Sequence, residues 1–131
     1  MISGAVPTIF ISDMDRSVRF YTDVLGLTLD QRFGNDWASI KAPGGVAIGL
    51  HPASEQSPAG RKGSITIGFM LDEPIDQAVD RLRKQGVKFT KDIFQEGPSR
   101  VAHFVDPDGN EFYIIELRAE WKQYAPGRSV A

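Results

Sequence analysis

The chain has 131 residues, of which 41% are hydrophobic and 24% charged, and it contains no cysteine. This length and composition predict one folded domain, not a disordered chain. The formal net charge of −2 argues against a nucleic-acid partner, and the lack of cysteine excludes disulfides, thiolate nucleophiles and Cys-ligated metals. No apolar run approaches the roughly 20 residues of a membrane span, and the start lacks a signal-peptide pattern, so a cytoplasmic protein without a membrane partner is expected.

The first half of the chain predicts a strand, a helix and three further strands. Val6–Ile11 is an apolar, β-branched run of strand type. Apolar side chains then recur at helical spacing from Met14 to Leu25, with Ser12 as the expected N-cap and Gly26 as the stop. The three strands that follow are predicted at Leu27–Phe33, Trp37–Ala42 and Val46–His51.

The second half repeats this order about 60 residues later. A strand is predicted over Ile65–Leu71, and a helix begins at Asp72-Glu73-Pro74 and ends at Gly86. Three strands follow at Val87–Phe94, Arg100–Val105 and Glu111–Leu117. The single predicted domain, residues 1–131, therefore consists of repeat one (5–51), an exposed linker (52–63), repeat two (64–117) and a C-terminal tail (118–131). Two βαβββ repeats with mainly antiparallel sheets and helices on one side belong to the α+β class.

Alternation along the strands separates two faces of each predicted sheet. One face is apolar, as at Ile9, Ile48 and Leu50, and is expected to lie under the helices. The other face mixes small, hydroxyl-bearing and aromatic side chains, beginning with Thr8 in the first strand. A concave sheet face of this composition suits a small organic ligand better than it suits solvent.

Two segments of the chain resemble the vicinal oxygen chelate superfamily, which includes glyoxalase I, bleomycin-resistance proteins, fosfomycin-resistance enzymes and extradiol dioxygenases. The first is Ile11-Ser12-Asp13 followed by Ser17–Leu27, and the second is Ala102–Asn110 leading into the closing strand. The resemblance covers nearly all of residues 5–117. It implies that the repeats form a cupped mixed sheet with the helices on the outer face. It also implies a homodimer, since Ala5-Val6-Pro7 is similar to the segment that helps to build the dimer in bleomycin-resistance proteins.

The resemblance also implies where the family's enzymes hold a divalent metal ion, at four strand positions. In this chain the four positions carry Val6, Gly49, Thr66 and Tyr113, and none is His, Glu or Gln. Val and Gly offer no side-chain donor, and neutral Thr and Tyr are weak ligands for such an ion. The sequence therefore predicts no metal and no cofactor, and it favours the metal-free type of member that binds a drug without changing it.

The leading hypothesis is a metal-independent protein that binds or sequesters a hydrophobic or aromatic small molecule in a sheet-lined cleft. The expected ligand-binding residues are Val6, Thr8, Trp37, Gly49, His51, Thr66, Tyr113 and Ile115. In this set Tyr113 and Thr66 supply hydrogen bonds, Trp37 supplies a stacking surface, and the small residues supply room. Packing of Trp37 against the other repeat or a partner subunit is an alternative.

Three further polar residues keep two other functions open. His51 is a metal ligand in a shifted register, a general base, a hydrogen-bond partner of the ligand, or a polar residue at a strand end. The pattern assigns no face to His103, and Glu116 is interpreted as a solvated charge. A lyase, isomerase or dioxygenase of the same superfamily would need a non-standard metal site recruited from these residues. A non-catalytic interaction module, its cleft filled by its own side chains, is the third hypothesis.

Overall fold

The computed structural model of the chain describes residues 1, 6–60, 66–96 and 99–117. The predicted tail (118–131), the end of the predicted linker (61–63) and Ala5 lie outside the described residues. The chain divides into an N-terminal unit, residues 1–61, and a C-terminal unit, residues 62–131. Each unit contains one sheet, described below by itself.

The N-terminal unit is a four-stranded sheet with a short helix. Its elements are β1 (Thr8–Ile11), α1 (Met14–Arg19), β2 (Thr28–Phe33), β3 (Trp37–Lys41) and β4 (Ala47–Pro52). The strand order is β1-β4-β3-β2, with β1 parallel to β4 and the other two pairs antiparallel. The core between helix and sheet contains Ile9, Ile11, Met14, Val18, Ala38, Ile40, Ile48 and Leu50.

The start of α1 differs from the prediction by one residue. Asp13, not Ser12, is the N-cap, because its carboxylate Oδ1 accepts a hydrogen bond from the Arg16 amide at 3.0 Å. The Ser12 hydroxyl instead accepts a hydrogen bond from the Arg16 guanidinium at 2.7 Å. After α1 the backbone continues as a π-helical turn over Phe20–Val24. Gly26 follows it, at the predicted stop, with a φ of 77° that favours glycine.

The C-terminal unit is a five-stranded sheet with a longer helix. Its elements are β5 (Ile67–Met70), α2 (Ile75–Lys84), β6 (Lys88–Phe89), β7 (Phe94–Glu96), β8 (Ser99–Val105) and β9 (Glu111–Leu117). The strand order is β5-β9-β8-β6, and β7 also pairs with β8. β5 is parallel to β9, and the remaining pairs are antiparallel.

The single strand predicted over Val87–Phe94 is wrong. β6 pairs with the C-terminal end of β8, whereas β7 pairs with its N-terminal end. Thr90–Ile93 leaves the ladder between them, and the Thr90 amide donates a hydrogen bond to the His103 carbonyl at 2.9 Å. The polar pair Lys91-Asp92 interrupts the alternation of apolar and polar side chains here, which favours a bend over a continuous strand.

A cluster of phenylalanine rings forms the centre of the C-terminal core. Phe104 and Phe112 are each 1% exposed, and their ring centroids are 5.5 Å apart. Phe69 and Phe89 pack on Phe104 with centroid distances of 6.4 and 5.8 Å. α2 packs on β8 and β9 through its buried residues Ile75, Ala78, Val79 and Leu82.

Two mixed sheets, each accompanied by a helix, confirm the predicted α+β class. The βαβββ order appears in both units, with the divided strand β6/β7 as the one addition in the second. Within the described residues, neither helix has the length and apolar composition needed to cross a membrane.

An ion pair joins α2 to the sheet of the C-terminal unit. Arg100 donates hydrogen bonds to both carboxylate oxygens of Asp76, at 2.7 and 3.1 Å. These bonds and the positive charge of Arg100 hold the pKa of Asp76 below its ordinary value. The pair therefore stabilises the fold above the unfolded-state pKa of about 3.9, and this contribution is lost as the pH falls through the lower folded-state pKa.

Asp76→Asn should lower the thermal unfolding midpoint at pH 7, and its midpoint should converge with that of the unchanged protein as the pH falls below about 4. Thermal melts followed by circular dichroism between pH 7 and pH 2 measure this. Asp80→Asn is the matched control, because its Lys84 partner lies on α2 itself and does not link the helix to the sheet. A difference for Asp76→Asn that stays constant over the whole pH range would contradict the expectation.

Candidate functional site

The candidate site is the face of the C-terminal sheet that is turned away from the phenylalanine core, here called the open face. Along β8, Ala102 and Phe104 are buried in the core, and Val101 and His103 alternate with them on the open face. β9 alternates in the same way, and β5 follows its register. The open face contains Gly68, Met70, Ser99, Val101, His103, Tyr113 and Ile115.

The turn between β8 and β9 determines which residues face each other across the site. The buried carboxylate of Asp106 accepts hydrogen bonds from the Asp108 and Asn110 amides, at 3.0 and 2.8 Å, and from the Asn110 side-chain amide at 2.9 Å. Such side-chain-to-backbone bonds stabilise a tight reversal at the predicted turn. As a result, His103 lies directly opposite Tyr113 in the ladder.

Three rings form a row on the open face. Phe94, the first residue of β7, stacks on His103 with centroids 5.6 Å apart and ring planes 5° apart. The His103 ring contacts the Tyr113 ring at a centroid distance of 5.8 Å and an angle of 49°. Offset and tilted contacts at these distances are favourable for aromatic rings. The row is therefore a formed surface on which a planar apolar group can pack.

The Tyr113 ring lies directly on Gly68 of the neighbouring strand. A Cβ atom added to Gly68 would lie 2.5 Å from the Tyr113 hydroxyl and would overlap two ring carbons. Only glycine leaves room for the phenol ring in this position. Gly68 therefore sets the orientation of Tyr113.

A depression of about 340 Å³ lies on the open face, lined by Ser99, Val101, His103, Tyr113 and Ile115. This volume is at the small end of the range for small-molecule sites, which is about 300–1,000 Å³. Val101 and Ser99 are buried, whereas the other three lining residues are half-buried. The lining combines aliphatic and aromatic surface with a hydroxyl, an imidazole and a phenol.

The N-terminal sheet has an uncovered face of its own, which carries Thr8, Trp37, Gly49 and His51. The Trp37 indole lies on Gly49, where an added Cβ would come within 2.9 Å of three of its ring carbons. His51 is exposed, its ring centroid is 6.5 Å from that of Trp37, and its Nδ1 lies 2.8 Å from the Pro52 carbonyl oxygen. This face therefore presents an indole and an imidazole side by side.

Two of the remaining predicted ligand residues lie just before the first strand of each unit. Val6 precedes β1 and is 52% exposed. Thr66 precedes β5, and its hydroxyl donates a hydrogen bond to the Glu111 carbonyl at 3.1 Å. The structure thus places Val6, Thr8, Trp37, Gly49 and His51 in the N-terminal unit, and Thr66, Tyr113 and Ile115 in the C-terminal unit. A ligand contact by each of them stays a prediction.

The four positions at which the resemblance implies metal ligands do not fit a metal ion. Val6 and Gly49 have no side-chain donor, and the Trp37 ring covers Gly49. The Thr66 hydroxyl already donates to a backbone carbonyl, which leaves the neutral phenol of Tyr113. Among the described residues, no three His, Asp or Glu side chains are grouped as an ion would require. This donor set differs from the nitrogen and charged oxygen ligands that divalent cations take in proteins.

Glu116 has a structural role that the sequence prediction missed. It is half-buried on the helix side of β9, where its Oε2 accepts a hydrogen bond from the Ile75 amide at 3.4 Å and lies 3.8 Å from Arg100 Nη1. It thereby satisfies a free amide at the start of α2, where Pro74 provides no side-chain cap. The predicted solvated charge is therefore wrong. His103 is on the opposite face of the sheet, so these two residues cannot hold one ion.

The predicted ligand set omits Phe94, Ser99, Val101 and His103 of the open face. The sequence contained a signal for His103 and Val101. Pairing the two strands that flank the Asp106–Asn110 turn places His103 opposite Tyr113 and Val101 opposite Ile115, and alternation puts all four on one face. Phe94 had no such signal, since the predicted strand ran through the bend that separates β6 from β7.

The family of the chain follows from comparison with protein-family models. The model described as Glyoxalase/Bleomycin resistance protein/Dioxygenase superfamily matches residues 5–114, which span both repeats. The chain belongs to this superfamily. The resemblance inferred from the two motif segments is thereby confirmed.

Individual known proteins are similar to the chain over most of its length. The chain is 29% identical over 115 residues to glutathione transferase FosA of Serratia marcescens, covering 86% of this chain and 80% of that protein. TnmS3, an antibiotic-binding protein from Streptomyces sp. CB03234, superposes with a TM-score of 0.74 at 23% identity, covering 90% of this chain and 98% of that one. A superfamily member from Sphaerobacter thermophilus DSM 20745 gives a TM-score of 0.70 at 28% identity, covering 88% and 98%.

Proposed function

We propose that this superfamily member binds a small hydrophobic or aromatic molecule without a metal ion and sequesters it unchanged. The observation that carries the proposal is the open face of the C-terminal sheet, where a depression of about 340 Å³ adjoins the row of Phe94, His103 and Tyr113. Apolar and aromatic surface with a few polar groups is typical of small-molecule sites. The similarity to a protein named as antibiotic-binding supports the same class of function.

Metal independence is supported by the residues at the positions that the resemblance assigns to metal ligands. Gly49 and Tyr113 correspond in the two units, because each pairs with a residue of its unit's first strand, Thr8 and Gly68 respectively. At both places an aromatic ring lies on a glycine, Trp37 on Gly49 and Tyr113 on Gly68. Aromatic carbon therefore fills the space beside these positions, where an ion would require nitrogen or oxygen donors.

In this proposal the ring of the ligand packs against Tyr113 and Ile115, and its polar atoms exchange hydrogen bonds with the phenol and with the Ser99 hydroxyl. On the N-terminal sheet, Thr8, Trp37 and His51 are proposed as ligand contacts of that face, with Val6 and Gly49 contributing shape. On the C-terminal sheet, Thr66 is proposed to contribute shape more than hydrogen bonds.

A ligand screen by thermal shift tests the proposal, using a panel of aromatic antibiotics and metabolites with and without EDTA. A binding compound should raise the unfolding midpoint in a concentration-dependent way, by about 2.7 kcal/mol of stability at 100 times its Kd. Tyr113→Ala should remove the shift, and Lys84→Ala, on the exposed side of α2, is the matched control. Absence of any shift, or a stoichiometric metal ion that survives dialysis and is lost in His51→Ala, would overturn the proposal.

A homodimer is part of the same proposal. The N-terminal unit exposes large apolar side chains at Val6, Phe33 and Val46, which are 52%, 63% and 56% exposed. Apolar side chains at a surface favour burial against a partner. Light scattering at micromolar concentration should give twice the mass of one chain, and a monomer mass would contradict the dimer without affecting ligand binding by the open face.

A further inference from the structure

Three side chains on and beside the open face carry polar atoms that have no hydrogen-bond partner among the described residues. They are the His103 imidazole, the Tyr113 hydroxyl and the Lys91 ammonium, which has no carboxylate within ion-pair distance in the described part of the chain. The lysine carries three N–H donors and no acceptor, and the phenol and a neutral imidazole add one donor each. Such a set is complementary to a ligand group rich in acceptors, above all to an anion.

Lys91 contacts the ring of Phe94, which in turn stacks on a residue that lines the depression. Its Nζ lies 5.9 Å from the centroid of the Phe94 ring, which is within the range of a cation–π contact. Phe94 pairs with Val101 and stacks on His103, and both of these residues line the depression. The bend between β6 and β7 therefore places a positive charge one aromatic ring away from the lining of the depression.

Charged residues also lie at the other end of the strands, where Lys88 and Glu111 both pair with Val105. Glu111 alternates with Tyr113 along β9 and pairs with Val105, two residues beyond the His103–Tyr113 pair. Phe94 pairs with Val101, two residues away in the opposite direction. A molecule lying in the depression therefore has the ammonium of Lys91 near the Phe94 ring, whereas the charges of Lys88 and Glu111 at the other end are of opposite sign.

We propose that the ligand of the open face is a planar aromatic molecule with an anionic oxygen group, such as a carboxylate, a sulfonate or a phenolate. Its ring packs against Tyr113 and Ile115 beside His103, and its anionic group contacts Lys91. The inference rests on the proposed function, because it names the class of ligand for the same face. A neutral aromatic molecule would contact the same rings but would leave the lysine without a partner.

Paired probes of equal shape test this inference. Binding of 2-naphthoate and of 2-naphthamide, which differ in charge but not in the ring system, is measured by protein NMR titration at low salt. The carboxylate should bind about threefold to fivefold more tightly than the amide, as expected for one partly exposed ion pair. Lys91→Gln should abolish this preference without changing the affinity for the amide, whereas Lys84→Gln, on α2, should keep it.

Each outcome separates this inference from the proposed function. Loss of the preference in Lys91→Gln alone, together with its decline at high salt, would support the anion. Equal binding of the two probes by the unchanged protein, or a preference that survives in Lys91→Gln, would overturn the inference and leave the proposed function standing. Failure of both probes to perturb the signals of the open face would count against the proposed function itself.

Discussion

Gly68→Ala is expected to weaken binding at the open face by about tenfold or more, which corresponds to roughly 1.4 kcal/mol. The new methyl group would overlap the Tyr113 ring and lie 2.5 Å from its hydroxyl. The strand backbone cannot give way without breaking its pairing with β9, so the ring must leave the sheet surface. Since Tyr113 lines the depression, the displaced ring would fill part of it. NMR titration with 2-naphthoate measures the loss.

Two companion variants make the result for Gly68→Ala specific. Gly45→Ala adds the same methyl group where the nearest atom is the Ala42 Cβ at an ordinary 3.7 Å, so it should change neither binding nor stability appreciably. Adding Tyr113→Leu to Gly68→Ala removes the overlap and should recover the stability that the single variant loses, about 1–3 kcal/mol for an overpacked site. Unchanged naphthoate affinity in Gly68→Ala would show that the ring position does not control the depression.

Phe104→Ala is expected to lower the free energy of unfolding by about 3–5 kcal/mol. The ring is 1% exposed and contacts the rings of Phe69, Phe89 and Phe112, so its removal leaves a cavity that the neighbouring rings cannot fill. Such a loss is a large part of the roughly 5–15 kcal/mol that stabilises an ordinary domain. Urea unfolding followed by circular dichroism measures it.

Lys84→Ala provides the control for this core variant. The Lys84 side chain is 75% exposed on α2, so its truncation should change the free energy of unfolding by no more than about 0.5 kcal/mol. Equal losses for the two variants would mean that the cluster around Phe104 is not the main source of stability in the C-terminal unit.

The order of the elements was predictable because local signals decide it. Gly26 and Gly86 follow the two helical segments with positive φ, and the alternation of the apolar Ala38 and Ile40 with Ser39 and Lys41 marks the core side of β3. The choice of Asp13 over Ser12 as N-cap was not predictable, since both residue types can cap. It depends on the backbone, which is extended at Asp13 before the helix begins.

The division of β6 from β7 was marked in the sequence only by the polar pair Lys91-Asp92. Both halves of the segment from Val87 to Phe94 have strand character, and their pairing with opposite ends of β8 is decided by tertiary contacts. The same cause explains why the positions of Lys91 and Phe94 beside the depression were missed. In contrast, the faces of Trp37 and Tyr113 follow from the two-residue period alone, because both strands are continuous.

The pairing of β5 with β9 also bears on the speed at which the open face is assembled during folding. The β8–β9 hairpin is closed by the short Asp106–Asn110 turn and can form early, because local contacts cost little loop entropy. β5 joins β9 only when residues 45 positions apart in the chain meet, as Thr66 and Glu111 do. The contact of Tyr113 with Gly68 therefore forms late. In an intermediate that contains only the hairpin, the phenol ring would be exposed to solvent until β5 pairs with β9. We expect substitutions at Gly68 to act mainly on the unfolding rate, and substitutions in the Asp106 turn to act mainly on the folding rate.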